Sequence, residues 1–207
     1  MSGRRAFIVG NGAQAHVVRS MLAGREIIFL VQKDAGPGEA LQDAFFAAPD
    51  RDADLYIAIG DTPVRRLYFD RARALGLAVA NCIAPNAFVA PDALIGEGLF
   101  LGAGGAIGAR SRVGDNVIVN TMSSVDHDCL VEDDVQITAG VTLGSHLAIG
   151  ARCYFGMKSC VLPRIEIGAD SVVMAGALVV RSAPAGVMLG GSPARIIGPA
   201  QGAAAPA

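Results

Sequence analysis

The most regular feature of the chain is a hydrophobic residue at every sixth position between residues 83 and 179. Seventeen successive positions are aliphatic or, once, aromatic, and the register never shifts. The residue after each of them is often glycine, and the fifth residue of each hexad is often small. Neither an α-helix nor an ordinary strand has a period of six. The positions are Ile83, Val89, Ile95, Leu101, Ile107, Val113, Val119, Val125, Val131, Ile137, Leu143, Ile149, Phe155, Val161, Ile167, Val173 and Val179.

A triangular solenoid explains this period, because each hexad can form a short strand and a corner. Three hexads then close one coil of about eighteen residues, with the bulky residue pointing into the prism. One coil cannot bury its own faces, so stacked coils must share one core. The pattern therefore predicts an all-β, left-handed parallel β-helix over residues 81–197.

The first 80 residues have a different pattern, in which short apolar runs alternate with helical segments. This β-α-β-α-β-α-β order predicts an α/β, Rossmann-like βαβ domain with a small parallel sheet. Residues 198–207 are rich in Gly, Ala and Pro, and are predicted to form a disordered tail. The predicted strands cover residues 6–9, 27–31, 55–59 and 77–79, and the predicted helices cover residues 13–23, 39–46 and 63–75.

Composition and charge narrow the function classes. A formal net charge of -2 provides no basic field for nucleic acid. No apolar run approaches the roughly 20 residues that span a bilayer. The four cysteines form no CxxC pair. We expect a soluble cytoplasmic protein with free thiols that binds neither nucleic acid nor membrane. Charged residues make up only 17% of the chain, which favours an oligomer.

Catalytic chemistry is best sought among the three histidines, His16, His127 and His146. His127 lies between Asp126 and Asp128, at neither the inward nor the small hexad position, so its ring should point away from the core. An imidazole with an ordinary pKa near 6.5 can act as a general base. Either aspartate could accept the other ring N–H and stabilise the imidazolium. The alternative is a solvated corner histidine.

The eighteen-residue coil places Ser145 directly above His127. A backbone N–H in this segment could face a thioester oxygen as an oxyanion donor. Zinc is the rival interpretation of the histidines, but only His127 and His146 lie on the prism, so no metal is predicted. Cys129 and Cys153 are interpreted as core residues.

Two motifs extend these observations to a family. The segment from Val125 to Cys129 and the segment from Ser159 to Pro163, behind a small βαβ domain, resemble bacterial sugar acetyltransferases of the hexapeptide-repeat superfamily. These are the bacillosamine and perosamine N-acetyltransferases and the sialic acid O-acetyltransferases. The resemblance implies that His127 is the base and that Asp128 raises its basicity. It also implies that Gln136, Met157 and Ala175 bind acetyl-CoA. Together with Ser145, which the coil spacing suggests, they are the expected acetyl-CoA contacts.

The resemblance also implies a homotrimer with sites between neighbouring prisms. Apolar residues at the fifth hexad position extend the outer faces; some must fill the interior, but the low charge indicates faces shared between chains. They are Leu99, Val117, Val135, Val141 and Leu147.

Gly10-x-Gly12-x-x-Ala15 follows the first predicted strand and resembles a dinucleotide-binding loop. An NAD site also needs an acidic residue after the second strand, where Gln32 stands, so an NAD oxidoreductase is disfavoured. In the related family this domain holds a nucleotide-linked sugar. The alternative is that Gly12 only permits tight packing. The matching positions are Gly12, Ala13, Gln14, Gln32, Gly60, Asp61 and Arg65.

The sequence thus predicts transfer of an acetyl group from acetyl-CoA to an amino group of a nucleotide-activated deoxyamino sugar, at C4. Sugar O-acetylation of the sialic acid type is the alternative within the same class. A non-catalytic scaffold that binds nucleotide sugars is the alternative from another class.

Overall fold

The computed structural model describes residues 4–200, which divide into two compact units on either side of the Cys82–Ile83 bond. The sequence predicted this boundary between residues 80 and 81. No helix among the described residues is long and apolar enough to cross a membrane.

The N-terminal unit contains a four-stranded parallel sheet with the strand order β3-β2-β1-β4. All four residues of β1 are buried, as expected for a central strand between layers of helices. The core combines aliphatic residues with several aromatic rings, including Phe7, Phe45, Phe46 and Phe69. The elements are β1 Ala6–Val9, α1 Ala13–Met21, β2 Ile27–Val31, β3 Glu39–Leu41, α2 Gln42–Ala47, β4 Asp54–Ile57 and α3 Thr62–Ala74.

Two expectations for this unit are wrong in detail. The helix predicted from residue 39 begins only at Gln42, because Glu39–Leu41 pairs with β2 as an edge strand. The fourth strand, predicted from residue 77, is reduced to a single bridge between Leu55 and Val79. Both differences lie at the edges of the sheet, where short segments carry little hydrophobic pattern.

The second unit is a parallel β-helix whose first seventeen strands have two residues each. Every one of these strands ends at one of the seventeen hydrophobic positions of the six-residue pattern. The strands are β5 Cys82–Ile83, β6 Phe88–Val89, β7 Leu94–Ile95, β8 Phe100–Leu101, β9 Ala106–Ile107, β10 Arg112–Val113, β11 Ile118–Val119, β12 Ser124–Val125, β13 Leu130–Val131, β14 Gln136–Ile137, β15 Thr142–Leu143, β16 Ala148–Ile149, β17 Tyr154–Phe155, β18 Cys160–Val161, β19 Glu166–Ile167, β20 Val172–Val173 and β21 Leu178–Val179.

These seventeen strands and the two that follow them form three sheets, of five, six and eight strands. Partners are eighteen residues apart, as in Ser124↔Thr142 and Leu130↔Ala148, so each coil has the predicted length. Three parallel sheets with this repeat fit the predicted left-handed β-helix. The eight-stranded sheet ends with β22 (Val187–Gly191) and the antiparallel β23 (Ala194–Pro199). Gly198 and Pro199, predicted in the tail, therefore lie in a strand, and residues 201–207 of that tail are outside the described residues.

The interior of the β-helix is filled by the last residue of nearly every two-residue strand and by the residue that directly precedes the strand. The hexad residues expected on outer faces are in fact buried in this core, because alternation along a strand turns them inward beside the seventeen. The argument for an oligomer from their exposure was therefore wrong. These buried residues are Leu99, Val117, Val135, Val141 and Leu147.

The corners of the β-helix turn through residues with a left-handed backbone. One corner column lies between the six- and five-stranded sheets and contains Arg110, Asp128 and His146, with φ values of 59, 58 and 59°. Because the three residues are eighteen apart and share one conformation, their side chains project from the same edge of successive coils.

Candidate active site

His127 lies at the corner that follows β12, next to this column. Its side chain is 44% exposed and points away from the core, as expected. The His127 N–H donates to Asp126 Oδ1 over 2.8 Å. Asp126 therefore orders the corner backbone.

Asp128 is the aspartate that faces the ring. Its Oδ2 lies 2.6 Å from His127 Nδ1. An ionised carboxylate only accepts hydrogen bonds, so this contact favours the tautomer with the proton on Nδ1. The opposite nitrogen, Nε2, then has a free lone pair for accepting a proton. The residue pattern alone left both Asp126 and Asp128 open and the family resemblance implied Asp128, which is the residue that contacts the ring.

Arg110 completes the arrangement and was not predicted. Its Nε and Nη2 donate to Oδ1 and Oδ2 of Asp128 over 2.6 and 2.7 Å. Hydrogen bonds from Arg110, and then from His127, hold the pKa of Asp128 well below its usual range. Asp128 is therefore an anion throughout the pH range in which imidazole titrates. Subtracting one coil from Asp128 would have found Arg110 in the sequence.

His146 lies one coil above Asp128. Its Nε2 is 3.7 Å from Asp128 Oδ2, and its ring meets that of His127 edge-on, with centroids 5.2 Å apart. The three side chains bring possible ligand atoms within 4.8 Å of one another. However, the guanidinium of Arg110 engages both oxygens of Asp128 and supplies a positive charge there. We therefore assign no metal ion to this cluster.

Ser145 lies above His127, as the coil length predicts, since the N–H of the adjacent His146 donates to His127 O over 3.1 Å. Within the part of the chain that the structure describes, the Ser145 N–H makes no hydrogen bond. It is thus available to an oxyanion. A groove of about 470 Å³ at the same corner is lined by Arg110, Asp128 and His146, among others, and not by Ser145 or His127.

The cysteines near this corner are structural. Cys129 is buried, and its Sγ donates to Gly144 O over 3.1 Å. Burial raises the pKa of its thiol, and it raises the pKa of Cys153 to about 11. Both thiols stay protonated at neutral pH, which fits their interpretation as core residues.

The N-terminal unit has its own cavity, of about 300 Å³, at the carboxyl ends of β1 and β2. Gln32 lines it and donates to Tyr68 Oη over 3.4 Å. Tyr68 in turn donates to Gln42 Oε1 over 2.5 Å, and Gln42 Nε2 donates to Leu30 O over 2.9 Å. The other lining residues are Gly10, Asn11, Val31, Lys33, Ile59 and Val64.

The remaining predicted sugar-binding residues do not line this cavity. Gly12 is the N-cap of α1, and Ala13 and Gln14 form its first turn. Asp61 caps α3 by accepting from the Val64 N–H over 2.9 Å.

Gly60 and Arg65 belong to the start of the same helix. Arg65 is only 1% exposed, and its Nη1 donates to the carbonyl oxygens of Ile59 and Gly60. The Arg65 side chain therefore stabilises the loop before α3, and the expectation that it contacts a ligand does not fit its burial.

Solved structures of similar proteins cover nearly the whole chain. One is perosamine N-acetyltransferase from Caulobacter crescentus, determined as a histidine-to-asparagine variant with CoA and GDP-perosamine. It is 33% identical, with a TM-score of 0.85, over 94% of this chain and 97% of that one. Another is the acetyltransferase domain of PglB from Neisseria gonorrhoeae with acetyl coenzyme A. It is 31% identical, with a TM-score of 0.88, over 94% of this chain and 100% of that one.

The chain belongs to the bacterial sugar acetyltransferase family of the hexapeptide-repeat superfamily. The predicted family and the predicted enzyme class, an acetyl-CoA-dependent acetyltransferase, are thereby confirmed.

Curated relatives match this acetyltransferase over shorter segments. The serine acetyltransferase of Mycobacterium tuberculosis is 39% identical over 79 residues, which is 34% of each chain. A 2,3,4,5-tetrahydropyridine-2,6-dicarboxylate N-acetyltransferase of Clostridium perfringens is 38% identical over 69 residues, 33% of this chain and 22% of the relative. The chain thus spans about a fifth to a third of the length of the curated relatives it matches. None of the known protein-family models matches the sequence.

The residues expected to bind acetyl-CoA in this acetyltransferase lie at two corners. Ser145 is at the His127 corner. Gln136 lies on the eight-stranded sheet, and Met157 and Ala175 follow strands of that sheet, one coil apart. The six-stranded sheet separates these three residues from His127, so one chain does not bring the whole predicted set together.

Proposed function

We propose that this protein transfers the acetyl group of acetyl-CoA to the C4 amino group of a nucleotide-linked deoxyamino sugar. The observation that carries the proposal is the His127–Asp128 pair, with a 2.6 Å contact through Nδ1 and an exposed ring. The alignment over 94% of the chain with an enzyme solved with CoA and GDP-perosamine supports the choice of substrate class.

In this mechanism the sugar nitrogen attacks the thioester carbonyl carbon. His127 Nε2 accepts a proton from the amine as the C–N bond forms, and the ionised Asp128 stabilises the imidazolium. The Ser145 N–H donates to the oxyanion of the tetrahedral intermediate. Collapse of that intermediate breaks the C–S bond, and the departing thiolate of CoA takes the proton from His127. The base is then neutral again.

A homotrimer is part of the proposal, because residues at two corners of the prism have to meet. In a ring of three chains, Gln136, Met157 and Ala175 of one chain can face His127 of its neighbour. Acetyl-CoA would then lie between two prisms. Light scattering at micromolar concentration should give the mass of three chains, and a monomeric mass would contradict this arrangement.

The nucleotide sugar is assigned to the N-terminal unit. The Gly10–Gly12 loop precedes α1, and a helix N-terminus favours a phosphate. Gln32 and Lys33 line the neighbouring cavity and offer hydrogen-bond donors to a nucleotide. The residue directly after β2, where an NAD site needs an acid for the ribose, is Gln32.

The test is release of CoA thiol with a panel of nucleotide-linked 4-amino sugars, their 4-hydroxy counterparts, free sialic acid and free amino sugars. We expect turnover only with the nucleotide-linked amines, and mass spectrometry should place one acetyl group as a hydroxylamine-stable amide. A hydroxylamine-labile product would establish O-transfer. Tight nucleotide-sugar binding without thiol release would establish a binding scaffold.

A further inference from the structure

We propose that Arg110 is a positioning residue for His127, acting through Asp128. Arg110 does not touch the ring, and nothing in the family comparison assigned it a role. This inference rests on the proposed function, in which His127 is the base.

The geometry shows how one residue can orient the next. The two parallel hydrogen bonds from Arg110 fix the plane of the Asp128 carboxylate, since a bidentate arginine contact restricts both oxygens. Oδ2 accepts from Arg110 and from His127 Nδ1 at once. The side chain of Asp128 is 24% exposed, so without Arg110 the carboxylate can rotate towards solvent. The hydrogen bond to Nδ1 would then lose its alignment, although the carboxylate charge stays beside the ring.

Arg110 also sets the charge beside the ring. Its guanidinium offsets part of the negative charge of Asp128. Removing it leaves the full carboxylate charge next to His127, which favours the imidazolium. The acid limb of kcat/KM should therefore move to higher pH while kcat falls. A purely structural defect lowers kcat without moving this limb.

Other charged groups near this corner are retained when Arg110 is changed. Asp92 interacts with Arg110, Asp126 is bound to the corner backbone, and His146 approaches Asp128. The groove also contains Arg112, Arg164 and Glu166. Since these groups stay the same, a change in the pH of the acid limb can be attributed to loss of the Arg110 guanidinium.

The chain offers a matched control in Arg152 and Asp170. Arg152 Nε and Nη2 donate to Asp170 Oδ1 and Oδ2 over 2.6 and 2.8 Å, which reproduces the Arg110–Asp128 contact. Both residues have the same left-handed corner backbone, with φ values of 57 and 59°. This pair joins neighbouring coils at a corner that carries no histidine.

The experiment measures kcat, both KM values and the pH profile for Arg110→Met, Arg110→Lys and Arg152→Met. For Arg110→Met we expect kcat to fall roughly 10- to 100-fold, as misplacement of a reacting group does. Its acid limb should rise by about half a pH unit, the effect of one charge through a largely aqueous medium. Arg110→Lys keeps the positive charge but cannot make the bidentate contact with Asp128. The acid limb of kcat/KM should therefore stay near its wild-type position while kcat remains reduced. Arg152→Met should match wild type in kcat and in the position of the acid limb.

An NMR titration of the His127 ring, without substrates, separates this inference from the proposed function. The titration midpoint should be higher in Arg110→Met than in wild type and unchanged in Arg152→Met. An unchanged midpoint in Arg110→Met, or an equal shift in Arg152→Met, would overturn the role of Arg110. Absence of transfer to every sugar amine, with the midpoint shift present, would overturn only the proposed function.

Discussion

The two units of the molecule differ in where their buried polar side chains lie relative to the proposed sites. In the β-helix, the hydroxyls of Ser111, Ser123 and Ser171 donate to backbone carbonyls within the stack, over 2.7 Å from Ser111 Oγ to Asp126 O. The chemically active side chains stand outside, at the corners. In the N-terminal unit, Tyr68 and Gln42 are both part of the buried network and part of the cavity wall. We therefore expect function and stability to be separable in the β-helix and coupled in the N-terminal unit, where the nucleotide sugar is proposed to bind.

The largest test of this separation is His127→Ala. We expect kcat to fall by about 10²–10⁴, the usual contribution of a positioned general base. The thermal midpoint should stay close to wild type, because the ring fills no core volume. If His127→Ala had wild-type turnover at saturating substrate, His127 would be a solvated corner residue with no part in catalysis.

Asp128→Asn is the matched variant for this position. It keeps the shape and removes the charge, so its loss should be smaller, and the double variant should be little worse than His127→Ala alone. The pKa of Asp128 is held far below that of imidazole, so the acid limb of wild-type activity cannot come from Asp128. That limb should disappear in His127→Ala.

The core of the β-helix should show the reverse behaviour. Phe155 is 0% exposed, and Phe155→Ala should lower the free energy of unfolding by about 3–5 kcal/mol, measured by denaturant titration. kcat should be nearly unchanged under conditions where the variant is folded. The control is Phe155→Leu, because Leu101 already occupies the equivalent place three coils earlier. If Phe155→Leu costs as much as Phe155→Ala, cavity volume does not determine the loss.

How much the sequence reveals differs between the units for a physical reason. Within the β-helix, the remainder of a position divided by eighteen fixes its face or corner and the number of whole multiples fixes its coil, so His127 and Ser145 could be placed in advance. Arg110 follows from the same rule but needs charge pairing across coils as a second criterion. In the N-terminal unit, the edge strand at Glu39–Leu41 has no apolar alternation to reveal it. The burial of Arg65 is also hidden, since an arginine in a first helical turn is ordinarily exposed.

The coupling in the N-terminal unit can be tested with Tyr68→Phe. Loss of the hydroxyl leaves Gln42 Oε1 without its 2.5 Å donor, which should cost about 1–3 kcal/mol of stability. The same change should raise KM for the nucleotide sugar, because Gln32 loses its acceptor. A stability loss with an unchanged sugar KM would show that the network and the ligand site are separate.

The smallest expected effect comes from Gly12→Val. An added Cβ at Gly12 meets no atom within 4 Å, and φ is -79°, so the variant should fold. If a phosphate approaches this loop, KM for the sugar should rise about tenfold, or about 1.4 kcal/mol, while the acetyl-CoA KM stays the same. Equal weakening for both ligands would assign Gly12 to folding instead.

The constant spacing of eighteen residues between paired strands has a consequence for insertions and deletions. A deletion of eighteen consecutive residues within the β-helix removes one whole coil, and every later residue keeps its own face or corner. Removing six residues also preserves the inward hydrophobic pattern, yet it turns everything downstream by one third of a revolution. A six-residue deletion between Arg110 and Asp128 would therefore leave a foldable prism in which the arginine and the carboxylate face different directions. Only insertions or deletions of whole coils therefore preserve the alignment of corner side chains between the coils that flank the change.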